Sequence, residues 1–125
     1  ILKEVRAMRL KAETMRNALT DPKTASITVV TIPEKAAVEE SRRLIETVQS
    51  HGVSVSAIVI NHVIRGCPCR FCQEKMASQT SYIQDIQNRY QDKNIIILPD
   101  YGGEVKGEGL KLVAEDLYAK GQIEL

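Results

Sequence analysis

Hydrophobic residues follow two patterns along this chain, one with helical spacing and one in continuous runs. Four segments carry apolar residues every three or four positions, the spacing of one helix face. They predict helices over residues 1–19, 35–50, 73–91 and 108–119. Between them lie three short apolar runs, which predict strands at residues 27–32, 57–63 and 94–98. Such runs are typical of strands covered on both faces, so we predict an α/β fold with a parallel sheet and helices on both faces.

The first predicted helix carries an apolar stripe that includes two methionines. Its members are Val5, Met8, Ala12, Met15 and Leu19. One interpretation is an adaptable hydrophobic binding surface, because methionine side chains accommodate varied partners. The other is packing against the core, which the amphipathic pattern favours.

Each predicted strand ends in polar or irregular residues. These ends are Pro33-Glu34, Asn61-His62 and the segment from Pro99 to Gly103. Ligands of parallel α/β sheets bind beyond the carboxyl ends of the strands. We therefore expect the three ends to converge at one edge of the sheet.

Two of these ends have the composition of a nucleotide site. The amide of Asn61 offers one donor and one acceptor, which match N6 and N7 of adenine, although such an asparagine also commonly fixes a turn. Val63 stands where guanine-specific proteins carry an aspartate, which disfavours guanine. The adjacent Gly102 and Gly103 would let backbone approach a ligand, and the alternative is an ordinary surface turn.

Three cysteines, Cys67, Cys69 and Cys72, lie within six positions. Two thiolates spaced C-x-x-C suit zinc, but a closed structural site needs four ligands, so His62 or a second chain would have to contribute. A thiol–disulfide redox pair and cysteines that bind nothing are the alternatives.

Charge and motifs exclude several function classes. The 125 residues carry 17 basic and 16 acidic side chains, so there is no basic field for general nucleic-acid binding. There is no bilayer-spanning apolar run and no secretory signal peptide. The sequence also lacks a G-x-x-x-x-G-K-[ST] loop and opens inside a predicted helix, so we expect it to be part of a longer protein.

Four separate motifs together resemble a known family. They are T-I-P-E after the first strand, V-I-N-H after the second, C-x-x-C-Q followed by Tyr82 and Tyr90, and L-P-x-x-x-x-E-V-x-G after the third. The combination resembles the carboxyl-terminal part of the arsenite-pump ATPase family. Within that family it is most similar to the ATPases that target tail-anchored membrane proteins in the guided-entry pathway. The resemblance extends from about Leu19 to Leu117.

The resemblance implies a fold, a function and partners. Residues 20–125 would form the carboxyl-terminal part of a P-loop NTPase-like ATPase domain, and residues 1–19 the end of a helical client-binding subdomain. The full-length protein would be a cytoplasmic homodimer that couples ATP binding and hydrolysis to delivery of a hydrophobic membrane-protein segment. Its Mg²⁺ would be held outside this chain. A membrane receptor would be a further partner. The alternatives are an arsenite-efflux ATPase and a zinc-dependent or thiol-redox interaction domain without a nucleotide role.

The resemblance also assigns residues to sites. Glu34 would contact the nucleotide and Asn61 would read adenine. The loop that wraps the adenine and ribose would comprise Pro99, Asp100, Tyr101, Gly102, Gly103, Glu104, Val105 and Lys106. Cys69 and Cys72 would hold zinc jointly with the same pair of a second subunit. The extra Cys67 leaves open which thiols bind the metal, and a single-chain site with Cys67 or His62 is the alternative.

Overall fold

The computed structural model describes residues 1–66 and 68–121 of the chain. Helices and strands alternate in the predicted order. The elements are α1 (Leu2–Thr20), β1 (Ile27–Thr31), α2 (Lys35–Ser50), β2 (Val55–Val63), α3 (Arg70–Arg89), β3 (Asn94–Pro99) and α4 (Gly109–Gly121). None of the described helices combines the length with the apolar run that a membrane-spanning helix requires.

The sheet has the strand order β1-β2-β3, and both neighbouring pairs are parallel. Ile60 of β2 lies opposite Thr31 of β1 and Ile97 of β3. The register between β2 and β3 shifts between Ile60 and Val63, next to the carboxyl edge. The parallel sheet is therefore confirmed, and its irregularity falls where the polar residues of β2 leave the ladder.

One face of the sheet packs against α2 and α3. Ile58 and Ile60 are fully buried there. The core on this face also contains Val38 and Ile45 of α2 and Ile86 of α3. These helical residues have the predicted spacing, since alternate strand residues point to one face and every third or fourth helical residue meets them.

The opposite face packs against α4. Val59, Ile96 and Leu98 are buried on this side, and Val113 and Leu117 of α4 pack on them. Helices on both faces are thus confirmed. Leu110, predicted on the same helical stripe, is instead 56% exposed and lies at the carboxyl edge of the sheet.

The prediction that the apolar stripe of α1 packs against the core was wrong. No residue of α1 is buried, and Met8 and Met15 are 72% and 66% exposed. An apolar spacing shows that a helix has a hydrophobic face, but it does not supply the surface that would cover that face.

Helix α3 begins at Arg70, three residues before the predicted start at 73. Cys69 caps it, because its sulfur accepts a hydrogen bond of 3.2 Å from the Cys72 N–H. A capped first turn satisfies a backbone donor that would otherwise lack a helical partner. The first turn of α3 therefore contains the C-x-x-C motif.

Candidate functional site

The ends of β2 and β3 meet as predicted. Asn61 and His62 of β2 and the loop after β3 line a cleft of about 400 Å³ at the carboxyl edge of the sheet. The lining consists of Asn61, His62, Leu98, Asp100, Tyr101, Gly103, Val105, Leu110 and Val113. Five of the predicted nucleotide-site residues are among them: Asn61, Asp100, Tyr101, Gly103 and Val105.

A buried glutamine holds the turn that follows Asn61. His62 has a positive φ of 56°, which is uncommon for a residue with a side chain. The Gln79 side chain of α3 donates to the His62 carbonyl at 3.1 Å and accepts from the Ile64 N–H at 2.9 Å. Both bonds secure the backbone on either side of Val63, so the left-handed turn is supported from α3.

The same turn is linked to the loop after β3. The Asp100 N–H donates to the Val63 carbonyl at 3.0 Å, and the Asp100 Oδ1 accepts from the Gly102 N–H at 2.8 Å. The hydrogen bond from Gly102, and then the nearby His62 and Lys75, hold the pKa of Asp100 below its ordinary value. The His62 Nδ1 lies 3.6 Å from the Asp100 Oδ2. Asp100 therefore stays ionised at neutral pH and connects the two segments.

Tyr101 fastens the loop to α4. Its hydroxyl donates a hydrogen bond of 2.7 Å to the Asp116 Oδ2. Burial, the hydrogen bond and the charge of this carboxylate raise the pKa of Tyr101 to about 12. The phenol thus remains a donor at physiological pH and holds the loop over the cleft.

The cleft has an apolar wall that the sequence interpretation missed. Leu98 of β3 and Leu110 and Val113 of α4 supply it. Their helical spacing predicted that Leu110 and Val113 pack against the core. The same spacing is found in helices that line a cleft. Their position in the first turns after the glycine-containing loop was the signal that could have separated the two uses.

Gln79 and Lys75 of α3 were also missed. Gln79 falls seven residues before Ile86 on the buried face of α3, so a polar residue at core spacing was the available signal. Lys75 lies with its Nζ 3.9 Å from the Glu34 Oε1.

Several predicted site residues lie outside the lining of this cleft. Glu34 occupies the N-cap position of α2 and faces Lys75. Glu104 and Lys106 form an exposed ion pair of 2.9 Å on the loop, while Pro99 ends β3 and Gly102 makes the turn. Asn61 and His62 also border a second, shallower cleft of about 420 Å³ beside Thr31 and Ile32, on the side of β1.

The cysteine motif presents two sulfurs rather than a complete metal site. Cys69 is exposed and Cys72 is half-buried, one helical turn apart. Among residues 1–66 and 68–121, no three His, Cys, Asp or Glu side chains are grouped closely enough to hold a metal ion. His62, Cys69 and Cys72 are therefore not grouped as a three-ligand site among these residues, while Cys67 lies outside the described residues.

Residues 1–119 match the anion-transporting ATPase family. The chain belongs to this family. It is 26% identical to ATPase GET3 of Candida glabrata over 117 residues, which are 89% of this chain and 33% of that protein. It is 30% identical to the ATPase ASNA1 homolog of Leishmania braziliensis over 123 residues, 91% of this chain and 30% of the relative. The chain thus spans about a third of the length of these curated relatives.

Membership in the anion-transporting ATPase family confirms the resemblance drawn from the four sequence motifs. It also confirms the fold class, because the family has the P-loop NTPase fold and the described residues form its parallel sheet with helices on both faces. The roles of individual residues remain predictions, which the geometry of the cleft makes specific.

Proposed function

We propose that this chain is the carboxyl-terminal part of an ATPase domain and supplies its adenine-recognition site. The observation that carries the proposal is the cleft that Asn61 shares with Asp100, Tyr101, Gly103 and Val105 of the loop after β3. The full-length protein would be a cytoplasmic homodimer that uses ATP binding and hydrolysis to deliver tail-anchored membrane proteins. Its relatives named GET3 and ASNA1 support this assignment.

The cleft has the two properties that an adenine site needs. The Asn61 amide can pair with N6 and N7 of adenine, a contact worth about 1–3 kcal/mol of discrimination against other bases. Leu98 and Val113 provide an apolar surface for the base, and Gly103 leaves space for backbone to approach it. Neither Val63 nor its neighbour Ile64 offers a carboxylate for the exocyclic amine of guanine.

The phosphates and Mg²⁺ would be held outside these 125 residues. The sequence has no phosphate-binding loop motif, whose amides, lysine and hydroxyl perform this task in P-loop ATPases. This chain contributes base recognition, and we expect no ATP hydrolysis by the 125 residues alone. Glu34, at the N-cap of α2, would contact a ligand that extends from the cleft towards β1.

Cys69 and Cys72 would form one half of a zinc site between two subunits. Their two sulfurs, presented at an exposed helix start, fit half of a tetrahedral set of four thiolates. A two-fold axis would supply the same pair from the partner and complete the four ligands. Zinc bound there would act structurally by fixing the dimer contact.

The exposed stripe of α1 supports a role at the end of the client-binding subdomain. Val5, Met8 and Met15 present apolar side chains to solvent. A hydrophobic surface with methionines suits a client helix of varied sequence. A membrane receptor would accept the delivered client, and no nucleic-acid partner is proposed.

The test of adenine recognition is Asn61→Ala in the full-length protein. ATP affinity should fall by about 1–3 kcal/mol, or roughly 5- to 150-fold, and GTP should bind weakly before and after the change. Calorimetric titration with both nucleotides measures this. Asn88→Ala, an exposed asparagine in α3, is the matched control and should bind ATP as the parent does. Equal affinity for ATP and GTP in the parent protein would exclude the proposal.

A further inference from the structure

Gln79 is a polar residue with an unusually constrained environment. It lies in the middle of α3 with only 4% of its surface exposed. Its two amide atoms are used by backbone groups of the turn after β2: the nitrogen donates to the His62 carbonyl and the oxygen accepts from the Ile64 N–H. Among the described residues, no buried side-chain nitrogen or oxygen lacks a partner.

The chemistry of the two bonds requires an amide. A carbonyl can only accept and a backbone N–H can only donate, so the opposing side chain must offer one donor and one acceptor at once. A glutamate of the same size offers two acceptors when ionised, and methionine offers neither hydrogen bond at similar volume. The bonds also fix which end of the Gln79 amide is nitrogen.

The turn that Gln79 holds connects both parts of the cleft. Asn61 immediately precedes His62, whose φ of 56° would relax without support. The Val63 carbonyl, between the two bonded groups, receives the Asp100 N–H of the loop after β3. A shift of this turn would therefore move Asn61 and the loop relative to each other.

We propose that Gln79 is a positioning residue for base recognition, which sets the orientation of Asn61 through the His62–Ile64 turn. This inference rests on the proposed function, because it assumes that Asn61 reads adenine. Gln79 itself does not line the cleft, so it acts on the nucleotide only through the turn.

The variant Gln79→Glu in the full-length protein tests the proposal. It keeps the acceptor for Ile64 but places a second acceptor against the His62 carbonyl. ATP affinity should fall by about tenfold, the usual order for losing one buried hydrogen bond, and the preference for ATP over GTP should fall with it. Gln84→Glu, an exposed position on the same helix, makes the same chemical change and should alter neither affinity.

A double-variant cycle separates positioning from general destabilisation. In the Asn61→Ala background, Gln79→Glu should cause no further loss of ATP-over-GTP preference, because the group it positions is gone. Gln79→Met carries the same test without a buried charge if Gln79→Glu lowers the melting temperature. An unchanged ATP-over-GTP ratio in a folded Gln79 variant, or an equal loss with and without Asn61, would overturn the positioning role alone. No effect of Asn61→Ala itself would overturn adenine recognition and the inference together.

Discussion

The Tyr101 hydroxyl donates a hydrogen bond of 2.7 Å to the Asp116 carboxylate and so joins the loop after β3 to helix α4. This bond closes one side of the cleft, since both Tyr101 and residues of α4 line it. The loop is held on its other side by the Asp100 N–H and the Val63 carbonyl. The cleft is therefore preorganised by two attachments, one to β2 and one to α4.

Removing the Tyr101 bond to α4 should loosen the loop without changing the core. We expect Tyr101→Phe to lower the free energy of unfolding by about 1 kcal/mol, the usual net value of one hydrogen bond. Limited proteolysis should cut the loop faster in the variant, whereas Tyr118→Phe, an exposed tyrosine of α4, should not change the rate. An identical cleavage rate in both variants would show that the Tyr101 bond does not restrain the loop.

The Tyr101 bond also predicts an alkaline response. Its folded pKa is raised to about 12, above the ordinary value near 10. A raised pKa contributes stability that is fully present below the unfolded pKa and is lost as pH rises from about 10 through 12. Absorbance titration at the tyrosinate band should show a late-ionising tyrosine near pH 12 that disappears in Tyr101→Phe.

Asp100 predicts the opposite behaviour in acid. Its pKa is lowered first by the Gly102 N–H and then by His62, so its contribution to stability is present above about pH 4 and is lost as pH falls further. Asp100→Asn keeps an oxygen acceptor for Gly102 but no charge. The variant should be less stable than the parent at pH 7, and the difference should shrink as pH falls below about 4. Denaturant unfolding at several pH values measures this, and a difference that does not change with pH would contradict the role of the charge.

Sequence patterns predicted the architecture better than the site. Continuous apolar runs are sufficient to identify strands covered on both faces, and strand ends in a parallel sheet necessarily share an edge, so Asn61 and Asp100 could be brought together in advance. The hydrogen bonds from the Gln79 side chain to His62 and Ile64 could not be predicted, because they join α3 to β2 through a contact that local spacing does not encode. The exposure of Met8 could not be predicted either, because periodicity identifies an apolar face without identifying what covers it.

Metal binding gives a prediction that separates the shared site from a single-chain site. In the full-length protein, Cys69→Ser or Cys72→Ser should remove zinc and shift the dimer towards monomer, because each change removes two of the four thiolates across a two-fold axis. Cys67→Ser should change neither property. Elemental analysis with light scattering should give about one zinc per two chains. One zinc per chain would instead place the metal within a single subunit.

The last prediction separates delivery of a membrane-protein segment from arsenite efflux. A pump-driving ATPase activated by arsenite needs soft thiolates that As(III) can bridge, so its ATPase rate should rise when arsenite is added. A targeting ATPase needs an apolar surface for a helix of about 20 hydrophobic residues, and the exposed Met8 and Met15 of α1 suit that use. We expect the full-length protein to copurify with a tail-anchored segment and to hydrolyse ATP equally with and without arsenite. Met8→Glu combined with Met15→Glu should reduce the copurified segment, while Lys3→Glu combined with Lys11→Glu, also exposed in the same helix, should retain it. Arsenite stimulation that survives loss of Cys69 and Cys72, with no segment retained by the parent protein, would assign the protein to efflux.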